Sequence, residues 1–416
     1  AYINCKMISK KEINTLKQIG ITSNEKEMIL LTDEPKIPGF LCFTKDNIKE
    51  KYNVEEAFGQ GFHPKENEAR IKSVAECLER LCMNNPLEEF IIMKKENNTG
   101  FIDPRNFCNY SNKQLTNKED FLEECLNSEY RWSKAKDILT NKEVYLPSQV
   151  IYLSSHFNDE FPIRQERIST GCAFGQKGTT MAFENGLLEA LERDACIYSY
   201  LTKREIKKIT NLPKSSEELV KYFNRYNLES QIFDVATDLG VPTALAITID
   251  RTGIGAAVNV GSSASFNYSD AIQRALLESV QCRRNGRLMQ IIECKNGLPK
   301  EHEITSMDNR FYYWHGIERI EDLDFWLNSE KSISYNTLRK NNTSLDKTLE
   351  LLKKNNFNVY VSDISLPEVS EAGFEALKVM IPELHPLYLS EESKFLYSKH
   401  YGEIKEDLSL KPHPLT

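Results

Sequence analysis

Three segments of this chain repeat one arrangement: a short glycine-containing stretch, then a helix-forming stretch with an acidic residue and a Glu or Gln three positions later. They read FGQGFHPKENEARIKSVAECLERLC at 58–82, STGCAFGQKGTTMAFENGLLEALERDA at 169–195 and GSSASFNYSDAIQRALLESVQCRR at 261–284. From Gly59 to Glu76 is 17 residues, from Gly261 to Glu278 is again 17, and from Gly171 to Glu189 is 18. A solvated face is the ordinary explanation of acidic residues on one helix. It does not explain a phase kept three times.

Residues three or four apart share a helix face. In the first segment Ile71, Val74, Ala75, Leu78, Leu81 and Cys82 form an apolar stripe, with Lys72, Glu76, Glu79 and Arg80 opposite. In the second, Phe183, Leu187, Ala190 and Leu191 form the stripe and Glu189, Glu192 and Arg193 lie opposite, with Gly186 one turn earlier leaving room for a close neighbour. In the third, Arg274, Glu278 and Gln281 line up. Three such helices converging on one point would offer carboxylate and amide oxygens, a hard donor set that suits magnesium, which usually arrives with phosphates. Glu76, Glu79, Glu189, Glu192, Glu278 and Gln281 are the candidate metal ligands. The glycine stretches are expected to be loops that turn backbone N–H groups and a helix N-terminus toward the phosphates. Ser169, Thr170, Ser262 and Ser263 add hydroxyl donors.

A second pattern is helix, strand, turn, strand, seen after SSEELVKYFNRY and again after TSLDKTLELLKKNN, each with a Ser placed to cap its helix. Interleaved helices and Val/Ile/Phe-rich strands predict an α+β fold, layered as in α/β proteins, built from repeated glycine-loop–helix and helix–strand–strand units. No linker-like stretch divides the chain. A less patterned segment over 1–55 and one domain over 56–416 are expected, with the C-terminal α/β part and a proline-containing tail over 345–416.

Composition removes several classes. The 416 residues are 40% apolar with a net charge of −8, and the basic runs at 202–210 and 338–341 are short, so a nucleic-acid surface is not expected. No run is apolar enough for a membrane span and no signal core is present, so the protein is expected in the cytoplasm. The ten cysteines include no CxxC pair and the seven histidines no HExxH, which disfavours zinc. No stretch satisfies GxxxxGK[ST], and GIGAAV at 253–258 lacks the third glycine of a dinucleotide loop. His63, His385 and Cys172 are read as structural.

These residues resemble the YcaO family, whose three signatures are SxxxExxER, ExxE and ExxQxR. Glu76, Glu79 and Arg80 match the first, STGCAFG with GLLEALERDA the second, and Glu278, Gln281 and Arg283 the third. Two positions depart: Lys72 stands where the family has serine, and GFH at 61–63 where a glycine-lysine-glycine is common. VMIPELHPLYL at 379–389 resembles a strand that usually carries proline-glycine-leucine. The resemblance implies ATP- and magnesium-dependent activation of a peptide backbone amide. The six metal-ligand candidates would also hold ATP, together with Ser169, Thr170, Arg80, Arg193 and Arg283. Azoline formation from Cys, Ser or Thr in a ribosomally synthesised peptide, as in bacteriocin biosynthesis, is the expected reaction. Thioamide formation with sulfide is the alternative, and a non-catalytic scaffold that binds a peptide or enzyme partner is the reading of another class. The resemblance makes Arg193 a candidate catalytic group, and the tail LKPHPLT, which keeps Pro412 and Pro414 of a PxP, adds the terminal carboxylate of Thr416. A leader-bearing precursor peptide, a separate leader-binding or sulfur-delivery protein and a homodimer are the partners implied.

Overall fold

The computed structural model describes residues 14, 20–53, 57–86, 90–95, 100–115, 117–293 and 299–415. Three antiparallel layers carry the fold. The first is a three-stranded sheet of β1 (Lys26–Glu27), β2 (Gly39–Phe43) and β3 (Phe58–Phe62), in that order. β2 lies before the boundary expected at residue 55, yet it pairs along its whole length with β3. The second layer uses β4 (Ile91–Lys94), β5 (Glu129–Asp137), β6 (Lys142–Pro147), β7 (Cys172–Gln176), β13 (Tyr360–Asp363) and β14 (Phe374–Met380). Its order is β4-β5-β13-β14-β7, with β6 also on β5. The third contains β8 (Lys207–Thr210), β9 (Leu228–Asp234), β10 (Thr243–Asp250), β11 (Val258–Ala264) and β12 (Ser332–Ser334), in the order β11-β10-β9-β8-β12. Among the described strand pairs only β8 and β12 run parallel. The expected α+β class is what the chain adopts.

The glycine stretches are not loops. Each forms a strand that runs into a long helix: β3 into α1 (Glu66–Asn84), β7 into α2 (Met181–Leu201), β11 into α4 (Tyr268–Glu293). Their glycines admit close contact between strand and helix. A Cβ on Gly61 would sit 1.7 Å from the Ala69 carbonyl oxygen, and one on Gly261 2.3 Å from that of Ala275. In both cases the helix backbone occupies the space a side chain would need. Gly186 plays the same part on α2, where Gly171 and Val379 press against it. At Gly61, Gly186 and Gly261 the missing side chain serves the close packing of these segments.

Each helix covers its own strand and also touches the strand of another unit: α1 meets β7, α2 meets β11, and α4 meets β3. The contacts close into a ring, which turns the three acidic faces toward one centre. α3 (Lys214–Asn224) precedes the β9–β10 hairpin and α5 (Leu345–Lys354) precedes β13 and β14. Ser344 caps α5 by accepting from Lys347 N–H, whereas α3 starts at Pro213 without a side-chain cap. The cores follow these contacts: Ala271, Ala275, Leu276 and Val280 of α4 pack on Ala244 and Ala246 of β10, and Leu187, Ala190 and Leu191 of α2 pack with Val379 of β14. None of the eight described cysteines forms a disulfide, and all are buried.

Candidate active site

The three repeated acidic residues are held the same way. Gln60 N–H of β3 donates to Glu76 at 2.8 Å, Gly171 N–H to Glu189 at 2.8 Å, and Ser262 N–H of β11 to Glu278 at 3.0 Å. A backbone amide thus holds one carboxylate oxygen on each helix. Glu192 is held at both oxygens, by the Ser262 hydroxyl at 2.6 Å and Ala264 N–H at 2.9 Å. Arg80 pairs with Glu76 at 2.6 Å, and Arg193 lies between Glu189 and Glu192 at 3.8 and 3.9 Å.

This crowding has an electrostatic cost. Burial, reinforced by Glu189 and Glu76, pushes the Glu79 carboxyl well above its ordinary range. Burial raises Glu189 and Glu76 as well, against the pull of Arg193 and Arg80. Glu278 is pushed up to about 8, by burial first and by Glu192 next. Burial works against the charge of Arg193, but Glu192, Glu189 and Glu278 outweigh it. Burial brings Lys378 down to about 8 behind the wall, where its Nζ donates to the carbonyls of Ile168 and Ser169 at 2.6 and 2.9 Å. Neighbouring carboxylates add to the upward shifts of Glu79 and Glu278, a mutual repulsion that a bound cation would relieve.

Two cavities share this wall. One of about 400 Å³ is lined by Phe62, Lys72, Cys172, Phe174, Asn185, Leu188, Glu192, Ser263 and Arg274. The other, about 540 Å³, is lined by Phe58, Arg80, Met83, Leu153, Ile168, Arg193, Glu278, Met307, Phe311 and Leu389. Gln60, Glu76, Glu79, Glu189 and Gln281 face both. Among the described residues no three His, Cys, Asp or Glu side chains form a closed metal cage. The donors are instead spread along the wall, with gaps for oxygens from another source, as magnesium requires when it binds with phosphates. The Gln60 side-chain oxygen is buried there with no hydrogen-bond partner, so the wall presents an unsatisfied hard oxygen in addition to its carboxylates. The residues present fit magnesium and a polyphosphate.

Most of the expected residues come together here. Glu76, Glu79, Glu189, Glu192, Glu278 and Gln281 line the wall, and Arg80, Arg193, Ser169 and Thr170 face the larger cavity. Two expected donors do not serve as expected. Arg283 points away from both cavities and is 2% exposed, with its guanidinium 2.7 Å from the buried Asp250. Ser262 gives its hydroxyl to Glu192. Thr416 lies outside the described residues, but the tail before it is buried: Arg310 donates to the His413 carbonyl at 2.7 Å and Tyr200 to that of Lys411 at 2.9 Å. Sequence reasoning missed Gln60, because it read GQG at 59–61 as a loop. Gly59 and Gly61 share the face packed on α1, and strand alternation was the signal that would have turned the Gln60 side chain to the other face, toward the cavities. Cys172 faces the smaller cavity with its thiol raised well above the ordinary range by burial and Glu79, unsuited to nucleophilic attack. His385 is fully buried with both ring nitrogens against carbonyl oxygens, of Pro386 and Phe395.

Among the described residues no helix is long and apolar enough to cross a membrane. No curated protein is matched by sequence. Solved structures are. A heterocyclase in complex with substrate and cofactor superposes with a TM-score of 0.71 at 15% identity, covering 92% of this chain and 53% of its own. This chain therefore spans about half the length of that relative. The E. coli microcin synthetase McbBCD complex with pro-MccB17 bound gives 0.68 at 14% identity, covering 95% of this chain and 96% of the other. YcaO from Methanopyrus kandleri, bound with AMPPCP and Mg2+, gives 0.62 at 18% identity, covering 90% and 88%. At these identities the likeness establishes the fold. The family is established by sequence: the family model described as YcaO cyclodehydratase, ATP- and Mg2+-binding, matches residues 59–385, a span that contains all three acidic helices and their strands. This chain belongs to the YcaO family.

Proposed function

We propose that this protein activates a peptide backbone amide with ATP and converts Cys, Ser or Thr of a ribosomally synthesised peptide into a thiazoline or oxazoline. The observation that carries this reading is the acidic wall shared by two cavities. It supports a nucleotide on one side and a peptide on the other, with the reacting oxygen between them.

The smaller cavity suits the nucleotide: its lining combines Lys72, Asn185 and Arg274 with the apolar Phe62, Phe174 and Leu188. The larger one suits a peptide, with Phe58, Met83, Leu153, Met307 and Phe311 beside Ser169, Thr170 and Asn285. In the reaction, the substrate's side-chain sulfur or oxygen adds to the preceding carbonyl carbon. The former amide oxygen takes the γ-phosphoryl group, ADP departs, and the carbon–oxygen bond breaks to release phosphate and leave the ring. The peptide loses one water. Magnesium, when bound, neutralises the phosphates against the wall. The chain's own work is to place carboxylates at fixed positions through the three backbone amides and to aim Arg193 and Arg80 at the charge that develops on the transferring group. We place the terminal carboxylate of Thr416 as the group that assists proton transfer, accepting protons that the side chain and the amide nitrogen give up as the ring forms, with Arg193 steadying the phosphates. The leader is bound by a separate partner protein, and the enzyme is a homodimer in the cytoplasm.

The test is Mg2+-dependent ATP turnover by the chain and by its Glu189→Gln variant, with precursor peptides and partner proteins added in turn and the peptide's mass measured. Turnover lost in the variant, with loss of one water from the peptide, is the expected result. Exchange of oxygen for sulfur would convert the reading to thioamide formation. Absence of nucleotide binding would leave a scaffold.

A further inference from the structure

Each helix carries a hydrogen-bond donor one turn before the carboxylate that its strand amide holds: Lys72 before Glu76, Asn185 before Glu189, Arg274 before Glu278. All three line the smaller cavity, and all three are exposed to it. Among the described residues none of them makes a hydrogen bond or an ion pair. Lys72 and Arg274 repel one another across the cavity, Arg274 being the strongest charge acting on Lys72. Two unpaired cations held near each other are unfavourable unless an anion comes between them.

Glu278, Glu68 and Glu76 act on Lys72 from a distance, but none pairs with it. Glu76 is already paired with Arg80 at 2.6 Å, and Glu189 and Glu192 share Arg193. Glu278 has one oxygen on Ser262 N–H. Lys72 is the position where the sequence departs from the serine of the resembled signature, so its charge is particular to this chain rather than part of the shared wall.

We propose that Lys72 is a direct polyphosphate-binding residue, which with Arg274 lets this chain hold the phosphate tail of a nucleotide in the absence of a divalent cation. The ligand class is a polyphosphate monoester or inorganic tripolyphosphate, and the inference rests on the nucleotide reading above. Its place one turn from Glu76 puts the ammonium in the cavity that the wall lines, within reach of the charges of Arg274 and Glu278. Lysine acts there as a mobile point charge, which tolerates changes in the position of the phosphates.

The experiment is titration calorimetry of ATP and of tripolyphosphate into the full chain and its Lys72→Ser and Lys72→Arg variants, in EDTA and again with Mg2+. Wild type binding both ligands in EDTA, with Lys72→Ser at least about tenfold weaker there and Lys72→Arg within about threefold of wild type, is the expected result. Lys72 is exposed, so the serine variant keeps its melting temperature. Three results overturn the proposal: unchanged metal-free affinity in Lys72→Ser, equal loss in both variants, or a wild type that binds ATP only with Mg2+. The nucleotide reading itself fails separately, if wild type binds no ATP even with Mg2+ present.

Discussion

Glu278 shows what the acidic wall costs a single residue. Its carboxyl ionises near 8 in the folded chain against 4.5 unperturbed, so across that window the folded state holds a proton that the unfolded chain has released. Stability of the ligand-free protein should therefore fall as pH rises from about 5 to about 8. The Glu278→Gln variant should lose its share of that slope, to which the raised Glu79, Glu189 and Glu76 also contribute, and melt higher than wild type at pH 8, while Mg2+ with ATP should flatten the slope of wild type. Melting curves at several pH values, read as the difference between wild type and variant, check this. Arg283 presents the opposite case, a motif residue outside the cavities. With the pair to Asp250 almost fully buried, Arg283→Met should destabilise the fold by about 3–5 kcal/mol by leaving an uncompensated carboxylate. Mg2+–ATP affinity, measured below the variant's melting temperature, should be unchanged; a folded variant that had lost ATP would return Arg283 to the site. The carboxylates were legible in the sequence because helical period sets which residues share a face. The partner of Arg283 was not, because Asp250 is on another element and nothing local links the two.

Strand and helix are joined most closely in the first unit, where Gly59 and Gly61 lie on the backbone of α1. Gly61→Ala should push β3 away from α1 and cost about 3 kcal/mol, because the obstructing atom is backbone and cannot rotate aside. A lowered urea midpoint, accompanied by weaker ATP binding as Gln60 and Glu76 separate, is the expected outcome. A neutral variant would show that the pair is loosely packed. The sequence made the spacing of these glycines visible and left their purpose open. A glycine that turns a loop and a glycine that lets a helix approach look alike in one dimension. The long helices were readable from their apolar stripes. β2 was not, since its five residues GFLCF are too short a run to separate strand from helix.

Over the whole molecule, Arg310 ties distant segments together. It is fully buried, pairs with Glu391 at 2.8 Å, and donates to the carbonyls of Leu389 and His413. It thus joins a helix over 307–313, the floor of the larger cavity and the tail. Arg310→Met should destabilise the fold, although Lys394 at 3.3 Å still pairs with Glu391, and should free the tail, so that limited proteolysis cuts near residue 411 in the variant and not in wild type. Uncut tails in both would mean that Tyr200 and the core around Leu415 hold it alone. The sequence by itself determined the class of the fold, the three acidic helices and the hard-oxygen chemistry they imply, because all of these follow from residue type and from spacing along a helix. Only the tertiary structure decided that the glycine stretches are strands, that Gln60 joins the wall, that Arg283 leaves it, and that one wall divides two cavities. Those outcomes depend on which unit each helix touches next, and contacts between residues far apart in the chain leave no period in the sequence.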